Sequence, residues 1–395
     1  MGDKKGEIAG GKTPAPSTER EPPTVFLAIR DIRFAKGRFA LMGSVVALIT
    51  LLLVMLSGLT AGLGDQSTSA LKNLGSGTTP VDTIAFGAAS GNEPQASFTE
   101  SQVTAEQVEA WGSRPGVASA EAIGITQTRF QGSAAGSETS TGTTNVAVFG
   151  IPEGSSLAPL PVAGGEVVIG ESVAEDLALQ AGDTVSMAGV DLVVGGVAAD
   201  NWYSHTSVAY TDLDSWSRLA HLGDATQAGT VIAVTNRDGA MVDSEAANAA
   251  AGTVSTTRTG SYAALGSYKS ENGSLLMMQG FLYGISALVI LAFLTVWTVQ
   301  RTRDIAVLKA LGGSGGYVLR DAITQASIVL LLGAGIGGGI GILGGSLAAS
   351  AAPFLLSPAT TVLTILGVFV LGLAGAALAV SRVTKVDPLI ALGGN

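Results

Sequence analysis

The sequence predicts a membrane protein with four transmembrane α-helices, one plus three, and a large α+β extracellular domain between helices 1 and 2. Three observations carry that expectation. Only 13% of the 395 residues are charged and the mean hydropathy is +0.44, whereas about a quarter of a soluble chain is charged. Windows 39–64, 272–300 and 322–381 contain no Asp, Glu, Lys or Arg, and each can supply the roughly 20 apolar residues that cross a bilayer. Finally, Lys and Arg gather at particular helix ends, which sets the orientation.

The first 24 residues, rich in Gly, Pro, Lys and Glu, are expected to form a disordered cytoplasmic tail. Within them GEIAGGKT, 6–13, matches the phosphate-loop pattern in letters only. No strand precedes it and Pro14 and Pro16 follow, so the strand–loop–helix that cradles phosphate is missing. Residues 25–38 then read as an amphipathic cytoplasmic helix along the headgroups.

The first span, 39–64, is longer than a signal-peptide core, and no small-residue cleavage site follows it. The second is 272–300. The window 322–381 is interrupted by Pro353 and Pro358, which break a helix. It therefore reads as spans 322–352 and 359–381 around an outer turn, 353–358. Arg30, Arg33, Lys36 and Arg38 precede span one; Arg301, Arg303, Lys309 and Arg320 lie between spans two and three; Arg382 and Lys385 follow span four, in the terminal segment 382–395. These sets face the cytoplasm. The 64–273 segment holds 7 Lys or Arg against 23 Asp or Glu and is expected outside.

That ectodomain, 65–271, alternates strand-like and helix-like stretches. Strands are expected at 81–86, 123–130, 145–150, 166–169, 184–187, 191–197, 207–210 and 230–235. Helices are expected at 101–111, 171–179 and 213–219, with Ser101 and Thr211–Asp212 as N-terminal caps. The Ser-, Gly- and Thr-rich 133–144 is expected to be a flexible loop. From 261 a helix is expected to run unbroken into span two.

Several function classes drop out. No cysteine is present, which removes disulfides and thiolate-ligated metals. The net charge of −10 argues against nucleic acid as a partner. His205 and His221 have no partner at metal-ligand spacing and are expected on the ectodomain surface. No spacing reads as a catalytic or metal site, so the chain is not expected to be an enzyme by itself. No Asp, Glu, Lys, Arg or His falls in any span, which argues against coupling to protons or sodium. In span three, Gly333, Gly337, Gly341 and Gly345 recur every fourth residue and offer a helix-packing groove.

The loop 301–321 begins RTRDIAVLKALGGS. Ile305, Leu308 and Leu311 form an apolar stripe, Arg303, Asp304 and Lys309 lie opposite, and Gly312 with Gly313 stops the helix. This segment resembles the coupling helix of the MacB/FtsX-type ABC transporter permeases. GEVVIGESVAEDLALQAGDTVSMAGVDLVVGGV, 165–197, is similar to that family's ectodomain core, and the ending VDPLIALGGN resembles its C-terminal segment. Within the family, FLAIRDIRFAKGRFALMG and LSGLTAGLG look most like haem-exporter permeases; the 24-residue tail is additional to their usual start.

The resemblance implies a permease homodimer in the bacterial cytoplasmic membrane, with both termini cytoplasmic. Two copies of a cytoplasmic ABC ATPase would bind ATP and Mg and push on Arg303–Gly312, and nothing would be bound permanently by the permease itself. Haem is the implied substrate, entering laterally from the membrane lipid. Its axial ligands can be Met or Tyr, which makes Met55, Met277, Met278 and Tyr283 the groove candidates, with Glu271 or Asp65 at the same rim. Two alternatives stay open: a transducer acting on an extracellular partner such as a peptidoglycan hydrolase, and an exporter of peptide or lipid.

Overall fold

A computed structural model describes residues 36–75, 80–89, 92–133, 140–222, 226–300, 307 and 315–383. Among the described residues, four helices are long and apolar enough to cross a membrane: α1 (Lys36–Lys72), α6 (Gly266–Gln300), α7 (Gly315–Ala348) and α8 (Pro358–Val383). At about 1.5 Å per residue, the 37 residues of α1 reach roughly 55 Å, far beyond a hydrocarbon core of about 30 Å. The excess lies past Gly64, where the span was expected to end: α1 continues through eight more residues to Lys72. Pro358 opens α8 at its first helical position, where its missing N–H costs nothing.

The chain forms two units. One comprises 52–282 and 341–362, the ectodomain with the adjoining helix ends; the other holds the remaining lengths of the four helices.

In the ectodomain the strands are β1 (Thr83–Phe86), β2 (Val103–Thr104), β3 (Val117–Ser133), β4 (Ser140–Ile151), β5 (Glu166–Gly170), β6 (Thr184–Met187), β7 (Val190–Ala198), β8 (Trp202–Tyr203), β9 (Thr206–Asp212), β10 (Gln227–Gly229), β11 (Val231–Asn236) and β12 (Val254–Thr257). The helices are α2 (Ala105–Gly112), α3 (Glu171–Asp176), α4 (Leu213–Leu219) and α5 (Ser244–Ala251). The 17-residue β3 belongs to two sheets. Val117–Ile123 pairs with β11, continuing the antiparallel order β12-β1-β11-β3. Gly124–Ser133 pairs with β4, and Phe130–Ser133 also with β6, so β3-β4-β9-β5-β7-β6 closes on itself.

Side chains alternate across each strand, and β4 uses both faces. Val146 and Val148 join a core with Phe130, Val167, Val185 and Leu192. Ala147, Phe149 and Ile151 join a second core. A strand buried on both sides is continuously apolar, which is how NVAVFGI reads. A third core lies under α2 and α5, where Trp111 is fully buried and its Nε1–H donates to Thr253 Oγ1 at 3.0 Å. The second core contains Ala70, Leu71 and Leu74 from the end of α1 and Leu265 just before α6. Aromatic edges tie it together: Phe86–Phe98 at 5.1 Å and Phe149–Tyr203 at 5.3 Å, both near perpendicular.

Four local expectations change. The helix expected to run unbroken from 261 is interrupted: Gly260–Ala264 is a 3-10 turn, and the extended backbone of Leu265 parts it from α6. Helix α2 starts at Ala105, not 101, because Thr104 and Gln107 form a reciprocal capping box. Ser101 is buried instead, donating to Thr230 O at 2.6 Å and accepting from Gly87 N. The segment 133–144 is not all loop: the hairpin pairs Gln131 with Thr143 and Ser133 with Ser140. Helix α3 ends at Asp176, because Ala178 takes a left-handed φ of 51°. The cap at Asp212 stands where expected, with Oδ1 accepting from Ser215 N at 2.8 Å. Burial alone would raise the Asp212 carboxyl, but hydrogen bonds from Ser215 and Gly165 N outweigh it and hold the group below the usual carboxylate range.

Candidate functional site

The sequence candidates have different fates. Of the coupling segment, Arg303, Asp304, Ile305, Leu308, Lys309, Leu311 and Gly312 lie outside the described residues. Met277 and Met278 are 64% and 47% exposed on the outer length of α6, with Phe281 beside them at 65%. Met55 is half-buried, and its Sδ sits 3.7 Å from where a Cβ on Gly344 would be, so it packs against α7. Tyr283 packs against Gly367 of α8 in the same manner, 3.2 Å from the Cβ position. Two of the four groove candidates are thus occupied in packing within the chain, and two stand open.

All four glycines of the α7 stripe are buried. A Cβ on Gly333 would lie 2.8 Å from Gly43 O, and one on Gly337 would overlap the Ala47 carbonyl of α1. A side chain at Gly345 would overlap the Phe354 ring. Small residues let backbones approach in lipid, where association depends on close packing. A second small pair escaped the sequence reading. Gly58 and Gly62 of α1 receive the turn between α7 and α8: a Cβ on Gly62 would overlap Pro353 O, and Leu355 N donates to Gly58 O at 3.1 Å.

Two apolar or mixed concavities accompany these helices. One, about 700 Å³, is a groove between α1 and α7 lined by Phe39, Ala47, Leu51, Leu332 and Ile336, with Lys36 at one end. The other, about 770 Å³, lies in the ectodomain among Phe98, Gln102, Gln127, Tyr203, Trp216 and His221. Among the described residues no three His, Cys, Asp or Glu side chains gather as a metal site.

His205 departs from its expected place as a surface decoration. Its Nε2 lies 2.8 Å from Glu271 Oε2 on α6 and 3.1 Å from Ser67 Oγ on α1. Because a carboxylate only accepts, the hydrogen on Nε2 points to Glu271. Farther along the same two helices, Gln279 Nε2 donates to Thr60 Oγ1 at 3.1 Å. No spacing in the sequence announces these pairs: positions 67, 205 and 271 meet only through the fold. Tyr203 and Tyr210, beside this region, have phenols pushed up by burial.

This layout of helices and ectodomain agrees with known proteins. The MacB-like periplasmic core domain family matches residues 39–253, more than half of the chain, and the FtsX-like permease C-terminal family matches 264–388. A Staphylococcus epidermidis permease named for a hemin transport system is 28% identical over 238 residues, 60% of this chain and 65% of that one. The alignment thus spans somewhat less than two thirds of that relative's length. An uncharacterized ABC transporter permease of Mycobacterium bovis is 24% identical over 378 residues, 94% of this chain and 99% of that one. Among solved structures, the extracellular domain of the noncanonic ABC-type transporter YknZ from Gram-positive bacteria shares 18% identity, with a TM-score of 0.32, over 44% of this chain and 98% of that chain. With a charge-free four-helix membrane part and an α/β extracellular domain between its first two helices, the chain belongs to the MacB/FtsX family of ABC transporter permeases and is a multi-pass protein of the cytoplasmic membrane.

Proposed function

We propose that this permease is the membrane subunit of an exporter that expels haem, or a similarly flat lipophilic molecule, from the outer leaflet. It works as a homodimer with two cytoplasmic ABC ATPase subunits, which bind the ATP and Mg. The name of the staphylococcal relative supports the substrate class. The observation that carries the reading is the exposed thioether pair Met277 and Met278, beside Phe281, on the outer length of α6. Thioethers can serve as axial ligands to haem iron, and the apolar, charge-free stretch 272–300 of α6 suits a macrocycle that partitions into lipid.

Movement reaches the outside through helices rather than through a pore. Helices α1 and α6 are each continuous, and the residues at their outer ends, Leu71, Leu74 and Leu265, are rooted in an ectodomain core. A push on the coupling segment 303–312 would pass along α6 as along a rod.

Haem titrated into the purified permease in detergent tests the cargo, with the Soret band as readout. The expected result is a saturable shift near one haem per dimer that weakens in Met277→Ala or Met278→Ala. Met55→Ala and Tyr283→Ala should weaken it less, since both side chains pack against glycines of the same chain. A titration indistinguishable from haem in empty micelles would remove haem as cargo and turn the reading to a mechanical transducer acting on an extracellular partner.

A further inference from the structure

We propose that the turn Ser204–His205 is the joint that fastens α1 to α6 and makes their outer ends move as one. The inference rests on the transmission reading above and deepens it by naming the positioning residues.

The turn joins β8 to β9 through two residues, and both take left-handed backbone angles, φ 48° at Ser204 and 63° at His205. A two-residue hairpin of this kind prefers Asn-Gly, because side-chain-bearing residues are strained there. Ser-His is a poor choice for a turn that only reverses the chain. What holds it is α1. Ser204 N donates to Ser67 O at 3.1 Å and His205 N to Gln66 O at 3.0 Å. The flanking residues repeat the attachment: Trp202 N donates to Ser69 Oγ at 2.8 Å and Asn73 Nδ2 to Asn201 Oδ1 at 2.7 Å.

With its backbone committed to α1, the turn extends both side chains to α6, the imidazole also lying 3.1 Å from Ser67 Oγ of α1. His205 Nε2–H donates to Glu271 at 2.8 Å, and Ser204 Oγ lies 3.2 Å from Ser267 Oγ. His205 is 30% and Glu271 43% exposed, so the pair is partly shielded from water. One strained dipeptide therefore grips α1 through main-chain bonds and α6 through side chains. A turn of relaxed sequence would reverse the chain equally well but carry no imidazole to Glu271. Because the ectodomain grows from both helices, a joint here converts a shift of α6 into a shared displacement of α1 and the sheet above it.

The absence of cysteine makes the test clean. In the permease reconstituted with its ATPase, His205→Asn keeps a residue that tolerates the left-handed turn but removes the reach to Glu271. Permease-dependent stimulation of ATP hydrolysis should fall about tenfold, and Glu271→Gln, which can still accept the hydrogen bond, should fall no more than twofold. Adding Ser204→Cys and Ser267→Cys to H205N and oxidising the pair should restore stimulation to within twofold of wild type, with reductant undoing it. Oxidising the same pair in the His205 background should leave activity intact. A cross-link that forms without restoring H205N, a cross-link that stalls the wild-type background, or a pair that cannot be oxidised would each overturn the joint. The readout is independent of cargo: if stimulation follows the joint while no haem moves, the joint stands and the haem reading falls.

Discussion

Gly124 and Gly150 face each other across β3 and β4, and the space they leave is filled by the Trp216 indole, whose ring a Cβ at either position would strike. Along α7, Gly333 and Gly337 also leave space, but there the backbone of α1 fills it. The same residue thus serves two kinds of packing. In the water-exposed ectodomain glycine makes room for a large apolar side chain, whose burial drives folding. In lipid, where apolar burial between helices gains little, glycine lets main chains approach. The difference teaches which substitutions each region tolerates.

The sharpest way to break the comparison is to empty the ectodomain site. Trp216 is 2% exposed, and Trp216→Ala should cost about 3–5 kcal/mol. Thermal unfolding of the full chain in detergent, followed by fluorescence of the remaining tryptophans, should show an early ectodomain transition. An unchanged midpoint would mean that the glycine pair does not frame a core residue. Next in size is the membrane counterpart. Gly337→Val places a branched side chain against the Ala47 carbonyl and should cost about 1–3 kcal/mol of overpacking. Membrane insertion should persist while heat resistance falls; equal resistance would show that α1 and α7 tolerate separation.

Read along the sequence, the membrane part was the more legible of the two. Charge-free windows and basic flanks mark the spans because lipid excludes charge, a rule that needs no tertiary information. The α7 stripe was visible as a four-residue repeat, whereas Gly58 and Gly62 lie in a leucine-rich run and are revealed as small contacts only by the turn that lands on them. Short strands divide: the four-residue β1 and β6 fall in the expected stretches 81–86 and 184–187, whereas β2, β8, β10 and β12 carry too short an alternation to read. The capping box at Thr104 was written in the sequence, but Ser101 offered an equally plausible cap, and only the burial of Ser101 decides between them. Of the site, Met277 and Met278 stand open on α6, while Met55 and Tyr283 are taken up by glycine contacts that depend on which helices become neighbours. The link from His205 to Glu271 spans 66 residues and depends on a turn type its own residues do not favour.

Two smaller effects refine the contrast. Asp212→Asn weakens the cap of α4 and the bond from Gly165 N, and should cost about 1 kcal/mol at neutral pH. Because the folded carboxyl lies below its ordinary range, the wild-type contribution is fully present above the unfolded value of about 3.9 and is lost as pH falls through the lower folded value. The stability gap between wild type and variant should therefore close in strong acid; a gap unchanged at pH 2 would refute the assignment. Smallest is the polar tie within the helices. Gln279→Leu removes the bond to Thr60 and should cost about 0.6 kcal/mol, as interhelical bonds in membranes do on average. A double-mutant cycle with Thr60→Val should show coupling of that size, and zero coupling would remove the tie.

Export itself is the most direct measurement. Inverted membrane vesicles carrying the permease and its ATPase, loaded with haem in the bilayer, can be supplied with ATP while haem appearing in the lumen is followed by a lumenal haem-binding protein. ATP-dependent appearance of haem is predicted, absent when the ATPase cannot hydrolyse ATP and reduced severalfold by Met277→Ala with Met278→Ala. Equal haem with and without ATP, in a complex whose ATP hydrolysis is intact, would contradict export and leave a permease that moves its ectodomain for another purpose.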